Sequence, residues 1–312
     1  MKTERENYSK LINIIIKEYL DTPETQRSLT KLQRKYGIRR QTIAEQLRKR
    51  GYEVINQQNR CRVDEFVFDT IDTEEKAYWL GFMFADGNIS SEGHRLEMNL
   101  GVHDVEHMEK FRKFLKLETE IKVDARGTSG RFKCRLSVRN KHLWETLNEK
   151  GCVPCKSLIL RFPNENIFSN NCLIYDFIRG YCDGDGSLGF YDYKSTKSSS
   201  VSIIGTSDFL ESVRLFLGID GYIRNKSCNN WKNKAYELKY SGVNARKVAR
   251  LLYENSSVYL ERKYKIYENF CRFEEESSRT KSSKISRRWD ANTEVSSEIT
   301  KGSETLQRIE GE

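Results

Sequence analysis

Two aspartates, Asp86 and Asp185, 99 positions apart, close two apolar stretches, WLGFMFADG (79–87) and IRGYCDGDG (178–186). In each stretch small residues precede the aspartate at a spacing of four: Gly81 and Ala85 in the first, Gly180 and Gly184 in the second. On a helix that spacing puts both small residues on one face, where two backbones can approach closely. If the two helices pack through these faces, Asp86 and Asp185 arrive near a shared axis. A carboxylate at a helix C-terminus is electrostatically unfavourable, and a second one alongside makes it worse, so the arrangement asks for cations. Oxygen-only ligation with spare positions suits hydrated Mg²⁺, with Mn²⁺ as a substitute. Divalent metals between two carboxylates can activate a water and stabilise the leaving oxygen of a phosphodiester. A calcium-loop reading of the second stretch fails: counted from Asp183, the sixth position is Leu188 instead of glycine and the twelfth is Lys194 instead of glutamate. An ordinary Asp-Gly turn is the plain alternative for that stretch taken alone.

The elements that must position these residues follow from periodicity. Asp72 and Glu75 fit a capping box ahead of a helix ending at Ala85, and the absence of charge from Ala77 to Ala85 predicts burial on nearly every side. The glycines after the aspartates are suited to the left-handed conformation that ends a helix. Strands are predicted in NIS and HRLEMNLGV, a helix in HDVEHMEKFRKFLK, strands around IKVDAR and FKCRLSV, and a helix in NKHLWETLNEKG. After a linker with Pro154 and Pro163 the order recurs: LIYDFIRGYCDGDG (helix), SLGFYDY and SSVSIIG (strands), TSDFLESVRLFLG (helix), GYIRNKS and AYELKYS (strands), NARKVARLLYEN (helix). The fold class is therefore α+β, an αββαββα unit duplicated in one chain. Phe111, Phe114, Phe209 and Phe216 recur at helical spacing and belong to the core.

A separate all-α segment precedes the duplication. YSKLINIIIKEYL and two short amphipathic patterns around Gly37 place Leu29, Leu32, Ile38, Ile43 and Leu47 at core spacings. Arg39, Arg40, Gln41 and Arg48 project elsewhere, the pattern of a helix-turn-helix; the alternative is a protein-binding bundle with a solvated basic face. Residues 1–60 carry 14 Lys plus Arg against 7 Asp plus Glu, so +7 of the chain's +9 resides there, which points to a polyanion partner. The expected organisation is 1–60 helix-turn-helix, 61–71 linker, 72–160 first repeat, 161–173 linker, 174–273 second repeat and 274–312 a polar tail of low order.

No run of 18 apolar residues occurs and MKTERENYSK is followed by no signal core, so an intracellular, cytoplasmic protein is expected, nucleoid-associated in a prokaryote or phage. The 8 cysteines are scattered through a chain too long to need disulfide staples, and Cys152 and Cys155 have no second CxxC or paired histidines at zinc spacing, which predicts free thiols.

WLGFMFADG and IRGYCDGDG resemble the paired motifs of the LAGLIDADG homing endonucleases in their single-chain, two-repeat form, over about residues 70 to 273. Each departs from the eponymous string at several positions. The resemblance implies a pseudo-twofold enzyme whose two sheets form a saddle over the DNA major groove, with the last aspartate of each motif, Asp86 and Asp185, binding metal. It also implies a basic residue near each metal. Lys239, on the last strand before the helix, occupies such a place in the second repeat, whereas the first offers Ser137 by the same alignment. Lys156 and Lys263, after the third helix of their repeats, are further catalytic candidates; for each lysine a solvated or phosphate-contacting role is the alternative. Asp183, matched by Phe84 in the first repeat, is auxiliary at most.

The strands following the motif helices carry Arg131, Lys133, Arg135, Lys194, Lys197, Arg224, Lys226, Lys232 and Lys234. Basic and polar residues alternating on strands suit a sheet laid on duplex DNA, phosphate contacts giving affinity and a few base contacts specificity. A solvated sheet face is the plainer reading. The expectation is a sequence-specific, metal-dependent DNA endonuclease acting as a monomer, since two motifs in one chain remove the need to dimerise. A DNA-binding regulator or intron-RNA maturase that kept the fold and lost cleavage is the rival, and the presence of both aspartates favours the enzyme. An intein would need a splice-junction nucleophile and a His-Asn end, which Met1 and the final Gly-Glu do not provide.

Overall fold

A computed structural model describes residues 2–23, 27–54, 63–126, 131–193, 196–226 and 235–276. Two compact units result, 1–181 and 182–312. In the first, α1 (Lys2–Asp21), α2 (Leu29–Tyr36) and α3 (Arg40–Lys49) share a core of Ile12, Ile15, Ile16, Tyr19, Leu32, Ile43 and Leu47, with Leu29 and Ile38 packed at its edge. Ser28 caps α2 by accepting from the Lys31 N–H, and Gly37 ends it at φ 71°, donating to the Gln33 carbonyl. That left-handed value is why glycine stands between the two helices: space around it is open, but a side chain would strain the backbone.

The next helix, α4 (Glu74–Ala85), is buried from Ala77 through Phe84, as its uncharged run requires. Its cap differs from the sequence reading. Thr73, not Asp72, accepts from the Lys76 N–H. Asp72 instead takes the Thr70 hydroxyl at 3.0 Å and the Lys76 ammonium at 2.8 Å, so it braces the cap from outside.

A four-stranded antiparallel sheet follows, order β1-β2-β4-β3, from β1 (Gly87–Ser90), β2 (Arg95–Gly101), β3 (Lys122–Arg126) and β4 (Arg131–Arg139). Leu96, Met98, Leu100, Cys134, Leu136 and Val138 alternate onto its buried face, against α5 (Val105–Phe114) and α6 (Lys141–Glu149). The long linker then makes two 3₁₀ turns and pairs back, Phe168 bridging Ile71.

The helix α7 (Cys172–Asp185) carries the second motif. Within the first unit its early turns lie on α4: a Cβ built on Gly81 would fall 1.9 Å from the Phe177 carbonyl oxygen, and one on Gly180 would fall 2.0 Å from that of Tyr78. Arg179, 2% exposed, seals this contact by bonding Glu74 and Asp176, each at 2.7 Å. Gly81→Ala and Gly180→Ala are therefore each expected to destabilise by about 1–3 kcal/mol or more, because backbone must move to admit one methyl. Urea unfolding measures this as a lowered midpoint. A wild-type midpoint for Gly81→Ala would refute the close packing.

In the second unit β5 (Gly186–Tyr193), β6 (Thr196–Gly205), β7 (Tyr222–Asn225) and β8 (Tyr236–Ser241) form a sheet of order β5-β6-β8-β7. Its topology repeats that of the first, with α8 (Ser207–Leu217) and α9 (Gly242–Tyr253) packed on it. The register repeats as well: Gly87↔Met98↔Leu136 in one sheet corresponds to Gly186↔Ile203↔Leu238 in the other.

A further helix, α10 over residues 261–276, was not legible in the sequence. Its buried stripe is Lys263, Tyr267 and Phe270, continuing from Leu260 just before it, and a lysine in that stripe breaks the apolar pattern. Glu274 in α10 binds Arg246 at 3.0 Å and Arg250 at 2.6 Å, so residues 274–276 continue a packed helix; the rest of the expected tail lies outside the described residues.

Candidate active site and nucleic-acid interface

Each motif aspartate stands where a helix hands the chain directly to a strand. Asp86 is the half-buried C-cap of α4, its N–H donating to the Phe82 carbonyl at 2.9 Å, and Gly87 opens β1. Asp185, exposed, is the last residue of α7, and Gly186 opens β5. The expected left-handed glycines are absent: neither Gly87 nor Gly186 is among the positive-φ residues. Glycine is needed there for closeness instead. A Cβ on Gly87 would lie 2.6 Å from the Met83 carbonyl oxygen, and one on Gly186 2.4 Å from that of Cys182. The strand begins at once, so its first carbonyl folds back over the last helical turn.

The other motif position resolves differently in the two repeats. Asp183 is fully buried, accepting from the Tyr253 hydroxyl at 2.6 Å and the Leu260 N–H at 2.7 Å, while Phe84 packs edge-on against Phe177 with centroids 5.1 Å apart. Asp183 ties α7 to the segment entering α10. Its carboxylate is committed to that structural role.

Lys156 and Lys263 are not aimed at solvent. The Lys263 ammonium, on a side chain 2% exposed, donates to the carbonyls of Cys182 (2.6 Å), Asp183 (2.7 Å) and Gly186 (2.7 Å). Lys156 donates to the Gly87 carbonyl. The CxxC is explained by the same segment: the buried Cys152 thiol points to the Met83 carbonyl at 3.6 Å, and desolvation pushes its pKa up to about 11, while Cys155 is an exposed free cysteine. Among the described residues no group of three or more His, Cys, Asp or Glu side chains gathers to hold a metal.

The outward faces of the two sheets follow from the alternation. In the first, Lys133, Arg135 and Ser137 of β4 alternate with buried residues, and Arg135 is 3.4 Å from Asp124. Arg131 opens β4 opposite Arg126. The same face includes Arg95, paired in register with Arg139, and Glu97, neither of which belongs to the basic set expected from the sequence. The period-two pattern of RLEMNLG, with apolar residues at every second position, carries the signal that finds them.

In the second sheet Lys239 lies on the outward side, half-buried, opposite Ser202 and Tyr222. Its register counterpart in the first sheet is Ser137, opposite Glu97. Arg224 and Lys226 hold the buried carboxylate of Glu237 at 2.6 and 3.2 Å. Burial works to raise the pKa of Glu237, but these two cations outweigh it and hold the carboxyl below its ordinary value. Part of their charge is thus spent within the protein. Lys197 faces the other way, bonding Glu276 at 2.9 Å and lying over the Phe273 ring, so the structure removes it from the outward face. Its parity explains this: Lys197 shares the side of Ser199, Val201 and Ile203, all buried. Lys194, Lys232 and Lys234 lie outside the described residues.

On the N-terminal helices Arg39, Arg40 and Gln41 are exposed at the start of α3, and Arg48 is exposed in its last turn. Ala85 and Gly184 are half-buried in α4 and α7. No helix among the described residues is long and apolar enough to cross a membrane.

The chain is similar in structure to LAGLIDADG homing endonucleases. I-LtrWI bound to target DNA matches at 14% identity and a TM-score of 0.43, covering 64% of this chain and 90% of that one. I-GzeII in complex with its DNA target matches at 15% identity and 0.41, covering 64% and 91%. I-SmaMI bound to cleaved DNA matches at 13% and 0.41, covering 63% and 87%. Comparison with protein-family models finds no match, and comparison with the curated proteins finds none. At such TM-scores every assignment rests on this chain's own residues.

The register difference between Lys239 and Ser137 has a measurable consequence. If Lys239 assists one strand's reaction, Lys239→Met should slow cutting of that strand more than the other, by about 10²-fold, and accumulate nicked duplex. Equal slowing of both strands, followed on a doubly end-labelled substrate, would count against this role.

Proposed function

We propose that the chain is a sequence-specific DNA endonuclease of the LAGLIDADG homing type that makes a metal-dependent double-strand break. The observation that carries this reading is the duplication in register. Twice, an aspartate ends a buried helix and a close-packed glycine opens the first strand of a four-stranded sheet with a polar outward face.

The donor chemistry fits a divalent cation. Each motif helix ends on a carboxylate, a hard oxygen donor of the kind taken by an ion that keeps waters and shares phosphate oxygens. Asp86 and Asp185 would hold Mg²⁺, or Mn²⁺ in its place. Such an ion, when bound, supplies a more acidic water and neutralises phosphate charge. The chain's own part is to orient the carboxylates and the duplex. Lys133, Arg135 and Arg95 on the first outward face contact phosphates and hold DNA in register, while serines on the second, such as Ser200 and Ser202, present short hydrogen-bonding groups to base edges.

Two motifs in one chain make a second copy unnecessary, so the active form is a monomer acting on DNA inside the cell. Selection of cleaved sites from a randomised duplex library in Mg²⁺ tests the proposal. One enriched site, cut on both strands and uncut in EDTA, is the expected result; binding without cutting under these conditions would replace the enzyme by a DNA-binding regulator.

A further inference from the structure

The two outward faces are built on hairpins of unequal length. In the second unit β5 and β6 pair over eight positions, from Gly186↔Ile203 out to Tyr193↔Thr196. In the first, β1 and β2 pair over four, from Gly87↔Met98 to Ser90↔Arg95. The registers match the inner pairs one for one, Gly87 with Gly186 and Ser90 with Gly189. Whatever lies beyond Gly189 and Ser200 in the second hairpin has no counterpart in the first.

The short hairpin is closed by its own packing. Gly93 and His94 turn the chain at φ 69° and 47°, the His94 carbonyl accepts from the Asn140 N–H at 3.2 Å, and the His94 ring meets Trp144 edge-on with centroids 5.3 Å apart. The long hairpin is braced from behind. The Phe190 ring lies 6.0 Å, between centroids, from those of Phe270 and Phe273, and Lys197 bonds Glu276 at 2.9 Å, all three partners being in α10. On the outward side Tyr191 is exposed and pairs with Ser198, also exposed. Its ring rests back along the strand. A Cβ on Gly189 would fall 2.9 Å from the Tyr191 hydroxyl and 2.8 Å from the Ser200 Oγ, so only glycine leaves room for that arrangement.

A two-stranded antiparallel ribbon fits the major groove of B-DNA, and it rises about 3.4 Å per residue, close to one base-pair step. Four more residue pairs carry it about 14 Å further along the groove. We propose that the half-site under the second repeat is read about four base pairs further from the cut than the half-site under the first, with Tyr191 and Ser198 reading the added stretch. The tyrosine ring offers apolar surface to a thymine methyl, and both hydroxyls can donate or accept at base edges. Bracing by α10 keeps the longer ribbon ordered before DNA arrives, which lowers the cost of binding. The inference rests on the reading that these sheets lie on duplex DNA; cutting does not enter it.

The test is a base-pair scan with the full chain in Ca²⁺, on a target selected by cleavage or, where none is cut, by binding. Each base pair is changed in turn and the affinity measured. The scan is repeated with Arg39, Arg40, Gln41 and Arg48 all changed to alanine, so that contacts made by the N-terminal helices are not counted. On one side of the centre, changes should weaken binding at least about fivefold over a run about four base pairs longer than on the other. Tyr191→Ala combined with Ser198→Ala should reduce the sensitivity of that outer stretch to within about twofold and leave the inner base pairs as sensitive as before. This assigns the longer side to the second repeat. Equal runs on both sides, or a longer side indifferent to the double variant, would overturn the inference. Unequal runs on a site that stays uncut in Mg²⁺ would uphold it and defeat the endonuclease reading; cutting with equal runs would do the reverse.

Discussion

Asp86→Asn and Asp185→Asn are each expected to abolish double-strand cleavage, lowering it below about one hundredth of the wild-type rate, while DNA binding stays within roughly tenfold. The substitution keeps the shape of the side chain and removes its charge. The backbone carbonyls around each aspartate take their donors from Lys156, Cys152 or Lys263, so the amide variant leaves those hydrogen bonds in place. The outward sheet residues proposed to meet DNA are untouched. The loss therefore falls on cation binding and on the chemistry it supports. Gel-shift affinity in Ca²⁺ and product analysis in Mg²⁺ on the selected site separate the two effects. Full cleavage by either variant would remove that aspartate from the active site.

Deletion of residues 1–60 is expected to weaken DNA binding by about 10² to 10⁴-fold, through loss of a linked second contact. The three helices bury their own core and leave Arg39, Arg40 and Gln41 exposed at the start of α3, the end that meets base edges in a helix-turn-helix. Residues 1–60 as a whole also carry +7 of the chain's +9 charge. Removing them should flatten the dependence of affinity on salt, since fewer counterions are released. Cleavage at saturating protein should survive, because Asp86 and Asp185 lie elsewhere in the chain. Exchanging Arg39, Arg40, Gln41 and Arg48 together for alanine should reproduce most of the loss without removing the helices. Footprint length, affinity and salt slope for the full chain against residues 61–312 are the measurements. Unchanged values would mean that this surface binds something other than the cleaved DNA.

Local periodicity determined a great deal. The uncharged run from Ala77 to Ala85 is a buried helix because each of its turns offers only apolar or small surface, and the four-residue spacings of Gly81 with Ala85 and of Gly180 with Gly184 already predicted a close helix contact, found at Gly81 and Gly180. Alternation in RLEMNLG and YELKYS placed the strands, and repetition of the whole order gave two sheets of matching topology. Core positions of the N-terminal helices were equally legible. Such features arise from residues a few positions apart, so the chain displays them directly.

Only tertiary structure decided what the charged groups do. Lys263 reads as a solvated or catalytic cation, yet it meets the Cys182 carbonyl across 81 positions and is buried there. The lysine also hid α10, whose core stripe it interrupts. Lys197 looked available to DNA until strand parity turned it towards Glu276, while Arg224 and Lys226 stay exposed but share their charge with Glu237. Gly87 and Gly186 were expected for their left-handed freedom and are required instead for their lack of a Cβ beside a helix carbonyl. A long side chain takes its partner from whatever packing brings within a few ångströms, and those neighbours are distant in sequence. Periodicity fixes which side of an element a residue occupies; which group it meets there is set by how the elements pack.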